Sequence, residues 1–143
     1  MTTFYEKDFY GWCNDQAEAL VAGRIEQCDL ENLVEEIRGL GDVKRCELIN
    51  NLAILLAHLL KYTFQPDKQG HSWVYTIIEH QDRVNDILKK NPSLNSQLSE
   101  CVEKAYRYAR LRAAKETDLK IKIFPEEMPF TIDWALKVEL QKE

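Results

Sequence analysis

The stretch Asp29-Leu30-Glu31-Asn32-Leu33-Val34-Glu35-Glu36-Ile37-Arg38-Gly39-Leu40-Gly41-Asp42 decides how the chain is read, together with Leu52-Ala53-Ile54-Leu55-Leu56-Ala57-His58-Leu59-Leu60-Lys61-Tyr62 beyond it. The Asp29 side chain can accept from the free amide hydrogens of a first helical turn. Leu30, Leu33, Ile37 and Leu40 share one arc at about 100° per residue. Gly41 can take the left-handed conformation that closes a helix, and Asp42 can cap the next one. The spacing therefore predicts a short helix followed by an αα-hairpin or sharp corner. A helix from about Val43 to Phe64 comes next, with Leu48, Ile49, Leu52, Leu55, Leu56, Leu59 and Leu60 on one side and Ala53, Ile54 and Ala57 on the other. A helix apolar nearly all round is a central one.

Upstream, a helix from about Tyr5 to Ala22 ends at Gly23. Phe9, Trp12, Cys13 and Leu20 face inward, with polar Gln16 interrupting their stripe. Downstream, Gln65-Pro66 ends the central helix, because the residue before proline is pushed out of helical geometry. Asp67 to His71 form a polar loop, around which the helices on either side pack as an antiparallel hairpin. Ser72 caps a helix from Trp73 to about Lys90, lined by Trp73, Val74, Ile77, Ile78, Val84, Ile87 and Leu88. After the break at Asn91-Pro92-Ser93, a helix from about Leu94 to Lys115 turns Leu98, Cys101, Val102, Ala105, Tyr108, Ala109 and Leu111 inward. Leu119 to Ile123 alternates but has no partner strand and reads as a loop. Thr131 caps a last short helix with Ile132, Ala135 and Leu136 inside. The expected fold is all-α, a single-domain bundle of five to six helices with short loops over residues 1–143.

Hydrophobic residues make up 45% of the 143, so the chain is neither a disordered tail nor a membrane protein. The apolar run Leu52 to Leu60 falls far short of the roughly 20 residues that span a bilayer. The N-terminus has no basic start and no apolar stretch of the signal-peptide kind, so a cytoplasmic location is expected. Cys13, Cys28, Cys46 and Cys101 contain no Cys-x-x-Cys pair, which disfavours zinc ribbons and thioredoxin-like chemistry. Cys13, Cys46 and Cys101 lie within helical patterns and read as small hydrophobes.

A net charge of −5 argues against a general nucleic-acid binder. The charge is uneven, acidic early, with Lys104, Arg107, Arg110, Arg112, Lys115, Lys120 and Lys122 later set against only Glu116 and Asp118. That strip reads as a solvated helix face or as a docking strip for an acidic partner. A nucleic-acid accessory role would rest on Arg107, Arg110 and Lys115, but no interleaved aromatics support it.

Several of these segments together resemble the bacterial family known as domain of unknown function 29. The resemblance lies in Asp29 to Ile37 with Leu40-Gly41, in Leu55 to Tyr62, and in Gln65-Pro66. It extends to Ser72-Trp73 with Thr76 to Glu79, to Tyr5 to Trp12, and to Phe124-Pro125 with Pro129. It implies a small, mainly helical bacterial protein of a kind common in cyanobacteria. It implies no activity and carries no catalytic or binding residue over to this chain.

Two histidines fall inside apolar arcs, His58 on the central helix and His80 on the next. In an antiparallel hairpin they stand at nearly the same height. A buried imidazole without a hydrogen-bond partner costs on the order of 1–3 kcal/mol. Glu36, and then Asn32, flank the preceding apolar stripe closely enough to supply one. His58, His80 and Glu36 thus form a candidate metal set for Zn or non-haem Fe. No His-x-x-x-His or Glu-x-x-His pair fixes two of them on one helix, as bundle metal sites usually have. No Gly-x-Ser-x-Gly elbow, phosphate-binding glycine loop or His-Glu-x-x-His helix is present. The leading expectation is accordingly a non-enzymatic interaction protein without cofactor, self-associating or binding a protein partner. The alternative is a metal-binding bundle or metal-dependent enzyme using His58, His80 and Glu36. Neither reading names a substrate.

Overall fold

Asp8 starts the first helix by accepting from the Gly11 amide at 3.0 Å, and a Cβ at Gly11 would collide with that carboxylate. The computed structural model describes residues 5–65 and 70–140. Its helices are α1 (Phe9–Val21), α2 (Leu30–Phe64), α3 (His71–Lys90), α4 (Leu98–Thr117) and α5 (Ile132–Lys137). Short 3-10 turns lie at Ile25–Gln27, Pro92–Gln97 and Ile121–Ile123. There is no strand among the described residues, and the all-α expectation holds. The chain divides into two compact units, Met1–Val43 and Lys44–Glu143.

In the N-terminal unit, α1 ends where Gly23 takes φ +75°. The Gly23 amide donates to Leu20 and the Arg24 amide to Ala19, which closes off carbonyls that the helix end would otherwise leave orphaned. Trp12, Gln16 and Ala19 are the buried face of α1. Phe9 and Leu20, expected inward, are about half exposed. α2 begins after Asp29, as its capping chemistry predicts. The Asn32 amide donates to Asp29 Oδ1 at 3.4 Å and the Leu33 amide to the Asp29 carbonyl at 2.9 Å.

The expected corner at Gly41 does not occur: α2 runs unbroken from Leu30 to Phe64. Asp42 lies inside that helix rather than capping a new one. Gly39 and Gly41 keep negative φ, since Gly23 is the positive-φ glycine. The physical balance favours continuity. Carrying a helix through a glycine costs about 1 kcal/mol relative to alanine. Stopping and restarting leaves up to about four amides and four carbonyls without helical partners. With no proline nearby, the continuous helix costs less.

In the C-terminal unit, the second half of α2 is the central element. Leu48, Leu52, Leu55, Leu56, Leu59 and Leu60 are fully buried on it, and Ala53 and Ala57 are buried on its other side. Lys61 Nζ stands 5.0 Å from the centre of the Trp73 ring on α3, the register of an antiparallel pair. α4 runs parallel to α2. Arg45 reaches Glu100 and Lys61 reaches Glu116, each pair 55 residues apart. Two contacts with one offset, 16 residues apart on each helix, require two helices side by side in the same direction for about 24 Å. α3 begins after Gly70, with Ser72 inside the helix and not at its cap. The loop expected at Asp67 to His71 lies mostly outside the described residues.

The inner face of α4 also differs from expectation. Tyr108 and Leu111 are exposed, while Cys101, Ala105, Ala109 and Ala113 are fully buried. Those four lie at successive i, i+4 positions and form a stripe of small side chains facing the core. Tyr106, rather than Tyr108, is the tyrosine that packs inward. Cys46, expected to pack, is exposed, and all four cysteines are free thiols. Gln81 on α3 donates to the Ala135 and Val138 carbonyls at 3.0 and 2.9 Å, closing the end of α5. At its other end Thr131 caps α5 through the Trp134 amide, as expected.

Candidate functional site

Asp29 does more than cap. Its Oδ2 accepts from Trp12 Nε1 at 3.0 Å and from Asn32 Nδ2 at 2.8 Å, and its amide donates to Gln16 Oε1 at 2.6 Å. The Asn32 hydrogen bond, with those from Trp12 and the Asn32 amide, outweighs partial burial and holds the Asp29 carboxyl below its ordinary range. Tyr5 stacks edge-on to Trp12 with centroids 4.9 Å apart, and its hydroxyl donates to Glu36 Oε2 at 3.1 Å. Asn32 and Glu36, the two side chains offered as partners for a buried histidine, are thus engaged within the N-terminal unit. The interruption by Gln16 marks the position that binds the α2 cap.

The outer side of the same unit is unusual. All seven residues from Arg38 to Lys44, about two helical turns, are exposed. Ile37 is 65% exposed, Leu40 70% and Val43 53%. Leu30 and Val34 continue this apolar face toward the start of α2. At about 100° per residue, Glu31, Glu35 and Asp42 fall within roughly 40° of one another, on the side of α2 turned away from Ile37 and Leu40. The arc of Leu30, Ile37 and Leu40 exists as predicted, but it faces outward.

A polar cluster around the buried Lys61 occupies the C-terminal unit. Lys61 Nζ donates to Glu116 Oε1 at 2.9 Å, with side-chain exposures of 7% and 35%. Arg112 binds the other Glu116 oxygen at 3.1 Å. Burial pushes the Glu116 carboxyl upward, but the hydrogen bond and charge of Lys61, followed by those of Arg112, hold it below its ordinary value. Lys61 was legible in principle. It directly follows the apolar run Leu52 to Leu60 on the central helix, and a lysine buried there needs a partner.

His58 Nδ1 lies 3.0 Å from the Ile54 carbonyl, and His80 Nδ1 lies 2.8 Å from the Thr76 carbonyl. A carbonyl only accepts, so each ring donates to it from Nδ1, and Nε2 takes no part in that bond. Burial depresses the His58 pKa. The Ile54 carbonyl opposes this in part, while the Lys61 and His80 charges add to it. Each histidine therefore obtains its partner from its own helix, four residues back. Glu36 belongs to the N-terminal unit, and His58 and His80 to the C-terminal one. No group of three or more His, Cys, Asp or Glu side chains among the described residues is placed to hold a metal ion.

Of the basic strip, Arg110 is structural. Its Nε and Nη2 donate to the Phe124 carbonyl at 3.1 and 3.0 Å, tying the segment after α4 back onto that helix. Arg107 lines a cleft of about 540 Å³ with Glu103, Glu126, Glu127 and the apolar Val102 and Met128. Lys115 is exposed beside a groove of about 640 Å³ between α2 and α4, lined by Asn50, Ala53, Ile54, Tyr108, Leu111, Arg112 and Glu116. The three residues of the nucleic-acid reading do not form one surface.

Among the described residues the fold is all-α with five helices, and no helix there is long and apolar enough to cross a membrane. The family described as a domain of unknown function, DUF29, matches residues 4–140, and the chain belongs to that family. No curated protein and no solved structure matches the chain.

Proposed function

We propose that this chain is a protein–protein interaction module of the bacterial cytoplasm, and that the exposed apolar face of α2 between Leu30 and Val43 is its docking element. One observation carries the reading: two consecutive turns without a buried residue, containing two glycines and flanked or occupied by Ile37, Leu40 and Val43. A helix draws most of its stability from packing one face. A segment packing neither face, yet carrying large apolar side chains, is suited to being covered by a partner. The test is a photo-crosslinking amino acid at Leu40, with a control at Arg83, in purified protein and in host cells. Protein adducts at position 40 and none at 83 are expected. Absence of adducts at 40 under both conditions refutes the reading.

Metal binding is the second reading. It is supported by the two imidazoles whose Nδ1 protons are held by carbonyls, the arrangement that orients Nε2 toward a metal. Equilibrium dialysis against Zn checks it: uptake near one ion per chain that His58→Ala abolishes supports it, and sub-stoichiometric uptake removes it.

A further inference from the structure

The N-terminal unit is a helical hairpin with chemically opposite sides. Tyr5 bonds Glu36 and Trp12 bonds Asp29, pairs whose residue numbers have the same sum, as antiparallel partners require. On α1 the contact line runs through the buried Trp12, Gln16 and Ala19. At about 100° per residue, Phe9, Leu20 and Cys13 lie roughly 60–100° round from Trp12 in one sense, and Asp15 and Glu18 roughly 60–120° in the other. On α2 the contact line follows Asn32, Leu33 and Glu36, which are less exposed than their neighbours. Leu40, Ile37 and Leu30 lie roughly 30–110° from it in the first sense, and Glu35, Asp42 and Glu31 roughly 110–150° in the other. In an antiparallel pair, a turn in the same sense from the contact line leads to the same side of the hairpin. One side therefore collects Phe9, Cys13, Leu20, Leu30, Ile37 and Leu40, and the other collects Asp15, Glu18, Glu31, Glu35 and Asp42. No charged residue of Phe9–Val21 or Leu30–Val43 falls on the apolar side.

This apolar side is open, and the unit has little core beneath it. Phe9, Leu20, Leu30, Ile37 and Leu40 are between 46% and 70% exposed. At about 100 Å² each, with the partly covered Cys13 and Leu33, they offer about 600 Å² of apolar surface per copy; two copies face to face would bury about 1,200 Å², the size at which specific protein interfaces begin. Among the described residues of the unit, those buried are Trp12, Gln16 and Ala19. Units near 40 residues usually complete their core by association or cross-links, and Cys13 and Cys28 are free thiols. Residues 1–43 hold ten acids against three bases, a net −7. Pairing by the apolar sides turns the acid-bearing sides away from each other. A charged partner surface finds no counter-charge on the apolar side, whereas a second copy matches it in size and in chemistry.

We propose that the apolar side of the α1–α2 hairpin pairs with the same side of a second copy, so that two hairpins close into a four-helix bundle about a two-fold axis. The inference rests on the interaction reading above and names its partner, with α1 contributing beside α2. Repulsion between the two acidic units opposes the contact, so salt strengthens it by screening.

The test uses the full-length chain in sedimentation velocity at low and high salt. The wild type is expected to dimerise at micromolar concentration and to bind more tightly when salt is raised. Leu20→Glu on α1 and Ile37→Glu on α2 each place a charge in the seam without replacing a buried residue, and each should weaken association at least about tenfold. Circular dichroism checks that both stay helical, and serine at the same position replaces any variant that does not. Glu31→Gln with Glu35→Gln, on the opposite side, should associate at least as tightly as wild type. A wild type that stays monomeric at high salt overturns the proposal. The interaction reading survives that result if crosslinks at position 40 still capture another protein. A dimer that salt dissolves, that either seam variant leaves intact, or that the glutamine variant weakens also overturns it, because self-contact then uses other surfaces.

Discussion

Replacing Gly39 and Gly41 with alanine tests the continuity of α2, on which the exposed face depends. Both glycines lie inside the helix with negative φ, and a Cβ built at either meets nothing within 4 Å. The substitutions therefore add no contact and create no clash. They act on backbone entropy, at about 0.8–1.0 kcal/mol per glycine in a helix interior. The double variant should gain about 1.5–2 kcal/mol for opening of this segment, which slows its amide exchange roughly ten- to thirtyfold. Hydrogen exchange across residues 36–46 reads this directly, and urea unfolding followed by helical ellipticity reads it in the whole chain. The sign is the decisive result. If Gly41 closed a helix in the left-handed conformation, alanine there would be strained, and Gly41→Ala would destabilise by about 1 kcal/mol. Faster exchange or lower stability in Gly41→Ala would refute a continuous α2 and remove the basis of the exposed face.

Three further outcomes are expected. Glu116→Gln leaves the Lys61 ammonium buried against Trp73 without its carboxylate and should cost about 3 kcal/mol in urea unfolding, whereas adding Lys61→Met should restore most of it. Equal losses in the single and double variants would contradict this. Asp29→Ala removes a helix cap and the partner of Trp12 Nε1 and should lower the urea midpoint. Asp29→Asn, which keeps the acceptor oxygen, should cost clearly less. Stability should also fall on acidification in two steps. His58 has a depressed pKa in the fold, so the unfolded chain takes up its proton first. That stability is complete above about pH 6.5 and is lost as pH falls through the folded value. Glu116, also depressed, adds a second loss that begins below about pH 4.5. Urea midpoints measured against pH, with His58→Gln removing the upper step, check the assignment.

The local chemistry of the chain was readable without coordinates. Asp29 and Thr131 as caps, Gly23 as a helix stop, the helical class and the burial from Leu48 to Leu60 all depend on residues within a turn or two of one another. Sequence alone therefore determined them. The tertiary structure decided which way each stripe turned. Leu30, Ile37 and Leu40 share an arc in either reading, but only the packing of α1 shows that Asn32 and Glu36 face inward and the apolar arc outward. On α4, periodicity offered Tyr108 and Leu111 to the core, and the packed structure buries Cys101 and the alanines instead. The partner of Lys61 is 55 residues away, beyond the range of any local rule. Periodicity marks an apolar arc, whereas the shape and charge of the neighbouring helix select the face that is buried. That is why Glu116 and the outward face of α2 emerged only from the three-dimensional arrangement.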